Sequence, residues 1–247
     1  MKEGAFLSII LLLLLAITSF ASPLNKATAI IKTPLPDLQG EVLTYSVTLN
    51  KISLGKQELK VESIINYNNR PTYVVSFAGI PNIMLKALNY KSTEIYYLDQ
   101  ATLLPLFIAR DYSAGFAKGN MEASYLVEEN VINVVVNEGN KEQKYSWSAV
   151  EAFQGETSIV FFSRFINVEA KPRVALISNV GVSYVQLEAG KTEKIKVPAG
   201  EFNTDTVIIN PDLGKVWLTK DQYRIPLKIV LNLNAGLLEM ELQSILR

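Results

Sequence analysis

The sequence predicts a mainly β protein: a large curved antiparallel sheet forming a barrel-like or clam-like half-barrel, with one central α-helix packed against it. Three observations carry that prediction. Apolar residues alternate with polar ones through most of the chain, the links between these runs are too short for crossover helices, and one segment switches to a helical period.

The first strand is the clearest. Leu43, Tyr45, Val47 and Leu49 alternate with Thr44, Ser46 and Thr48, the pattern of a strand with one face buried. Gly55 follows near a turn, and Lys56, Glu58, Lys60 and Glu62 then alternate with Gln57, Leu59, Val61 and Ser63. Asn68-Asn69-Arg70-Pro71 is a hairpin signal leading to Tyr73, Val75 and Phe77. Further alternating runs cover residues 93–98, 106–109, 121–127 and 131–136. A second series occupies 174–187, 195–197, 206–209, 216–218, 227–233 and 238–242.

Two segments break the pattern. Residues 80–88 are apolar at mixed spacing and suggest a short helix or turn. Residues 149–166 place Val150, Phe153, Thr157, Val160, Phe161, Arg164 and Phe165 at steps of three and four, with Glu151 and Glu156 early. That is a helix with one apolar face, and acids near its start suit its dipole. Ser163-Arg164 reads as its polar edge. The helix joins two sheet halves, about 40–148 and 173–246, of a single β-rich domain spanning 37–247.

Ahead of that domain, residues 1–21 have the form of a cleavable signal peptide. Lys2 gives a positive start, Leu11 to Leu15 centre an apolar run, and Ser19 and Ala21 are the small residues before the cleavage point. The run is shorter than the ~20 residues of a spanning helix, and no other segment approaches that length. Residues 22–36, with three prolines, read as an N-terminal linker. The expected location is periplasmic or secreted.

Composition narrows the chemistry. The 247 residues contain no His and no Cys. That removes His-dependent nucleophile systems, the usual zinc and copper sites, disulfides and acyl anchoring through cysteine. No cofactor is expected. Lys+Arg and Asp+Glu are both 24, so no basic surplus points to nucleic acid or anionic lipid.

The remaining motifs favour structure over catalysis. Asp99 and Asp221 stand in similar hairpins, Tyr97-Leu98-Asp99-Gln100 before Pro105 and Trp217-Leu218-Thr219-Lys220-Asp221-Gln222 before Pro226. A pair of carboxylates could activate water, but Asp commonly opens turns by bonding the backbone two residues on. Asp205-Thr206 lacks the Gly an aspartic protease needs next, since Val207 stands there. The aromatic residues Tyr45, Tyr73, Phe77, Tyr97, Phe107, Trp147 and Phe161 are candidates to line a ligand cavity.

Taken in order, several segments resemble the bacterial exported family catalogued as domain of unknown function 3108. They are Gly40-Glu41-Val42-Leu43-Thr44-Tyr45-Ser46-Val47 with Gly55 after it, Tyr97-Leu98-Asp99, Thr102 to Pro105, the aromatic run 158–165 ending in Arg164-Phe165, residues 197–204, residues 216–221, and Arg224-Ile225-Pro226. The resemblance implies an envelope location and a curved antiparallel sheet with a helix against it, and it supplies no catalytic residues. The expected function is therefore non-catalytic binding or carriage of a hydrophobic small molecule such as a lipid. The alternatives are a structural module that meets an envelope protein partner and, behind both, a His-independent hydrolase.

Overall fold

The computed structural model describes residue 31 and residues 34–247 apart from 88 and 116. The signal peptide predicted at 1–21 and most of the linker lie outside the described residues. The N-terminal run forms β1 (Val42–Leu49), β2 (Ile52–Tyr67), β3 (Arg70–Pro81), α1 (Ile83–Ala87), β4 (Lys91–Asp99), β5 (Pro105–Ala114), β6 (Ala117–Leu126), β7 (Val131–Glu138) and β8 (Lys141–Ser148). Then come β9 (Ala152–Gly155), α2 (Ser158–Ser163), β10 (Arg173–Ser178), β11 (Gly181–Ala189), β12 (Glu193–Val197), β13 (Gly200–Asn210), β14 (Gly214–Thr219), β15 (Pro226–Leu233) and β16 (Gly236–Leu246).

All sixteen strands belong to one sheet. Its path runs from β8 down to β1, crosses to β16, and continues through β15, β14, β13, β11 and β10 to β9, while β12 pairs β13 beside β11. Pairing of β1 with β16 joins the two β runs that the sequence separates. Every pairing is antiparallel except β9 with β10. The sheet is not closed by backbone hydrogen bonds, yet its two ends meet through side chains. Tyr145 of β8 donates to the Ser178 carbonyl at 2.5 Å, Asn179 donates to Glu138 at 3.1 Å, and the Trp147 ring lies 6.4 Å from that of Tyr184.

Because neighbouring strands alternate in direction, their connections sort to two ends. The β1–β2, β3–β4, β10–β11, β13–β14 and β15–β16 links fall at one end, the mouth. The β2–β3, β4–β5 and β14–β15 links, with residues 34–41, fall at the other, the floor. At the floor Asn68 and Asn69 both take positive φ, 50° and 61°, as a two-residue hairpin turn requires. Gly55 is not at the turn expected for it. Asn50 and Lys51 make that turn with positive φ, and Gly55 lies within β2, where a Cβ would sit 2.2 Å from the Ile80 carbonyl oxygen.

The predicted central helix at 149–166 needs correction. Residues 152–155 form strand β9, the helix is confined to 158–163, and α1 is a second short helix. All six residues of α2 are buried, so it lies inside the rolled sheet and is no amphipathic cover. Ile159 and Phe162 complete the apolar ring that the chosen face left out, and a helix apolar all round belongs in an interior. Ser163 and Arg164 are likewise fully buried; they are no polar edge. Arg164 reaches the floor, where Nη1 and Nη2 donate to Glu41 at 2.6 and 3.1 Å and Nε and Nη2 donate to the Tyr223 carbonyl. The rings of Phe161 and Phe165 flank it at 5.1 and 5.0 Å. Within the linker, Ile31 is buried and bridges Ile166.

Candidate functional site

Arg164 and Glu41 fill the floor side of the roll, and the cavity richest in apolar side chains lies toward its mouth. This cavity of about 680 Å³ lies between two unlike walls. One is apolar: Leu231 and Leu233 of β15, Leu238 of β16, and Pro211 and Leu213 of the β13–β14 link. The other carries Glu94 of β4, Arg110 of β5, and Glu156 and Thr157 just ahead of α2. A smaller pocket of about 120 Å³ shares Glu156, Thr157, Leu231 and Leu238 and runs down to Tyr45, Phe77 and Val160.

The charged wall follows from strand register. Glu94 and Arg110 are directly opposite in the β4–β5 pairing, the position where cross-strand charges interact. Arg110 Nη2 donates to Glu94 at 3.3 Å, and its Nη1 donates to Glu156 at 2.7 Å. Thr157 donates to Glu94 at 2.9 Å, and the Tyr96 hydroxyl, two residues along the same face, donates to Glu94 as well. Burial opposes the charge on Arg110, but Glu94, Tyr96 and Glu156 outweigh it and hold its pKa above the ordinary guanidinium value. Burial, reinforced by the Glu94 charge, raises the Tyr96 hydroxyl well above the usual phenol range, so it stays a donor. Gly155 makes room for this arrangement, because a Cβ there would lie 2.5 Å from the Tyr96 ring.

The cluster holds two carboxylates for one guanidinium, and every polar member is tied to a neighbour. It can orient a polar group entering beside the leucine wall. Among the described residues, no three of His, Cys, Asp and Glu converge as metal ligands.

The structure scatters the sequence-predicted cavity residues. Tyr45 and Phe77 line the small pocket, and Tyr45 donates to the Pro226 carbonyl at 2.9 Å. Phe161 is buried against Arg164. Tyr73 is buried, its hydroxyl accepting from Gln100. Trp147 packs at the seam against Phe153 and Tyr184. Tyr97 and Phe107 pack together with tilted rings, half-buried, with Tyr67 beside them. They occupy the sheet face opposite Tyr96, Leu106 and Ile108, because successive strand residues point to opposite sides. Adjacent Tyr96 and Tyr97 gave the sequence no parity, and Tyr96 is the inward one.

Glu94, Arg110 and Glu156 were not expected at a site. The signal available was the opposite charge of Glu94 and Arg110 across one hairpin, which only a known register turns into a pair. Asp99 and Asp221 act in their own turns: Asp99 accepts from the Ala101 and Thr102 backbone, Asp221 from that of Tyr223 and Arg224.

The fold is similar to that of a crystallised β-barrel-like protein of domain of unknown function DUF1849 from Brucella abortus, with TM-score 0.50 and 11% identity, covering 87% of this chain and 98% of that one. Two weaker likenesses cover 88% and 86% of this chain and 100% and 97% of the other. One is described as an exported protein with a YmcC-like fold from Bacteroides fragilis (TM-score 0.36, 10% identity), the other as a lipoprotein from Parabacteroides distasonis (TM-score 0.31, 10% identity). A search of curated proteins found no match. Among the described residues no helix is long and apolar enough to cross a membrane. A family model matches residues 44–243, and the chain belongs to that family, described as protein of unknown function DUF3108.

Proposed function

We propose that this chain is an exported, non-catalytic binding protein whose mouth cavity holds an amphipathic, largely apolar molecule such as a lipid. The observation that carries the reading is the cavity itself: about 680 Å³, with leucines facing a partly buried ionic cluster. Ligand pockets commonly fall between ~300 and 1,000 Å³ and combine apolar walls with a few fixed polar groups. Export rests on the signal-like residues 1–21.

The rival reading, an envelope module that accepts a partner strand, finds less support. Edge strand β8 is studded with Lys141, Glu142 and Lys144, and the opposite edge β9 is buried throughout. Charge and cover are what keep sheet edges from pairing.

Native mass spectrometry of protein purified from its host tests the proposal. The expected result is an added mass that denaturation releases as a lipid-like molecule, and that Leu231→Trp removes. A clean protein mass from the native host, unchanged after incubation with lipid extract, overturns it.

A further inference from the structure

The rim of the cavity carries a feature that holding a ligand does not require. Residues 49–57, 79–93 and 232–238 form one sector of the mouth. Asn50 donates to the Ala235 carbonyl and accepts from the Leu237 backbone, and Asn82 donates to the Ser53 carbonyl. This sector exposes Ile52, Ile80, Ile83, Met84, Leu233 and Leu237, with Ile83 at 86%. No residue of α1 is buried. The same segments carry Lys51, Lys56, Lys86 and Lys91, all exposed, and contain no Asp or Glu. Among the described residues none of these four lysines forms an ion pair, a state they share with Lys118, Lys141, Lys191, Lys196 and Lys215, whereas Lys60, Lys144, Lys171, Lys194, Lys220 and Lys228 are paired.

Contiguous exposed apolar surface marks a contact site. Its company of lysines says which kind. Protein–protein interfaces are depleted in Lys, and a symmetric contact with a second copy would set four lysines against four. Aliphatic side chains beside unpaired cations match the headgroup boundary of a negatively charged lipid surface, where apolar insertion and electrostatic attraction add. The balanced composition of the whole chain conceals this local surplus. We propose that this sector docks on the surface of an anionic lipid bilayer, turning the cavity mouth toward the lipid. The inference stands on the rim and holds whether or not the cavity is filled.

Vesicle flotation of the protein as exported tests it, with phosphatidylcholine and phosphatidylglycerol in equal parts against phosphatidylcholine alone. The protein should float with the mixed vesicles and much less with the neutral ones. Each Lys→Gln change among the four should weaken binding about fivefold, and raised salt should weaken it further. Ile83→Asp with Met84→Asp should lower binding by about tenfold or more. Leu246→Asp, exposed at the floor, should not. All variants share one N-terminus, so differences among them read the rim. An Ile83→Trp variant should be quenched by brominated-chain lipid. Binding indifferent to the rim changes, absence of recruitment to mixed vesicles, or a dimer dissolved by the Ile83 and Met84 changes would each overturn the proposal. Protein that floats but carries no ligand keeps this inference and removes the ligand reading.

Discussion

Arg164 and Glu41, 123 residues apart, form a two-pronged ion pair in which neither side chain is more than 1% exposed. Glu41 immediately precedes the first strand and Arg164 immediately follows the buried helix. The pair therefore pins α2 to the floor of the roll, and Arg247 closes on the same carboxylate at 3.2 Å.

Breaking one side of a buried pair leaves an uncompensated charge, at a cost of about 3–5 kcal/mol. Arg164→Ala and Glu41→Ala should each lose about that much stability in urea unfolding. The double change Glu41→Gln with Arg164→Met should lose less than either single change. Arg247→Ala, whose guanidinium is partly exposed, should lose about 1 kcal/mol or less.

Gly155 and Tyr96 should prove energetically coupled. Gly155→Val forces a side chain into the Tyr96 ring, an overpacking change of roughly 1–3 kcal/mol. Tyr96→Ala opens space and should offset part of that loss when the two are combined. Additive losses in a double-mutant cycle would show that the ring and the β9 backbone do not contend for one space.

Leu231→Trp should fill the mouth cavity from its apolar wall. Ligand retention by native mass spectrometry should drop about tenfold, the scale of a lost anchor contact. The melting temperature should stay nearly unchanged, since Leu231 lies at a half-buried position facing open volume.

Stability should fall as pH rises from about 10 to about 12. Burial pushes the hydroxyls of Tyr125 and Tyr145 up to about 12, against ~10 in an unfolded chain. Between those values the folded protein binds more protons than the unfolded one, so unfolding free energy declines with pH. Tyr145 donates across the seam, and its deprotonation removes that bond. Urea midpoints at pH 9, 10.5 and 12 would trace the decline, and Tyr145→Phe should make it shallower, leaving the share of Tyr125.

The two hairpins that carry Asp99 and Asp221 share a construction. In β4–β5 the register slips at Tyr97/Leu98 and pairs Leu98 with Pro105. In β14–β15 it slips at Trp217/Leu218 and pairs Leu218 with Pro226. Leu103 and Arg224 both take positive φ late in these turns. Local grammar of this kind was legible because an Asp side chain, a Pro and a short loop act over a few residues. Strand β8 was not read, because only Tyr145 and Trp147 are even half-buried in it and its other residues face solvent.

By itself the sequence determined the β class, most strand positions, the hairpin turns, the absence of His and Cys chemistry, and the family. Each of these is set by local period, local turn chemistry or composition. The tertiary structure alone decided that the helix lies inside the roll, that Arg164 meets Glu41, and that Glu94, Arg110 and Glu156 gather beside a leucine wall. It also decided that four lysines and six apolar side chains share one rim. Those facts depend on how strands far apart in the chain are registered and how the sheet curls. A one-residue shift in parity, as between Tyr96 and Tyr97, exchanges cavity for outer surface.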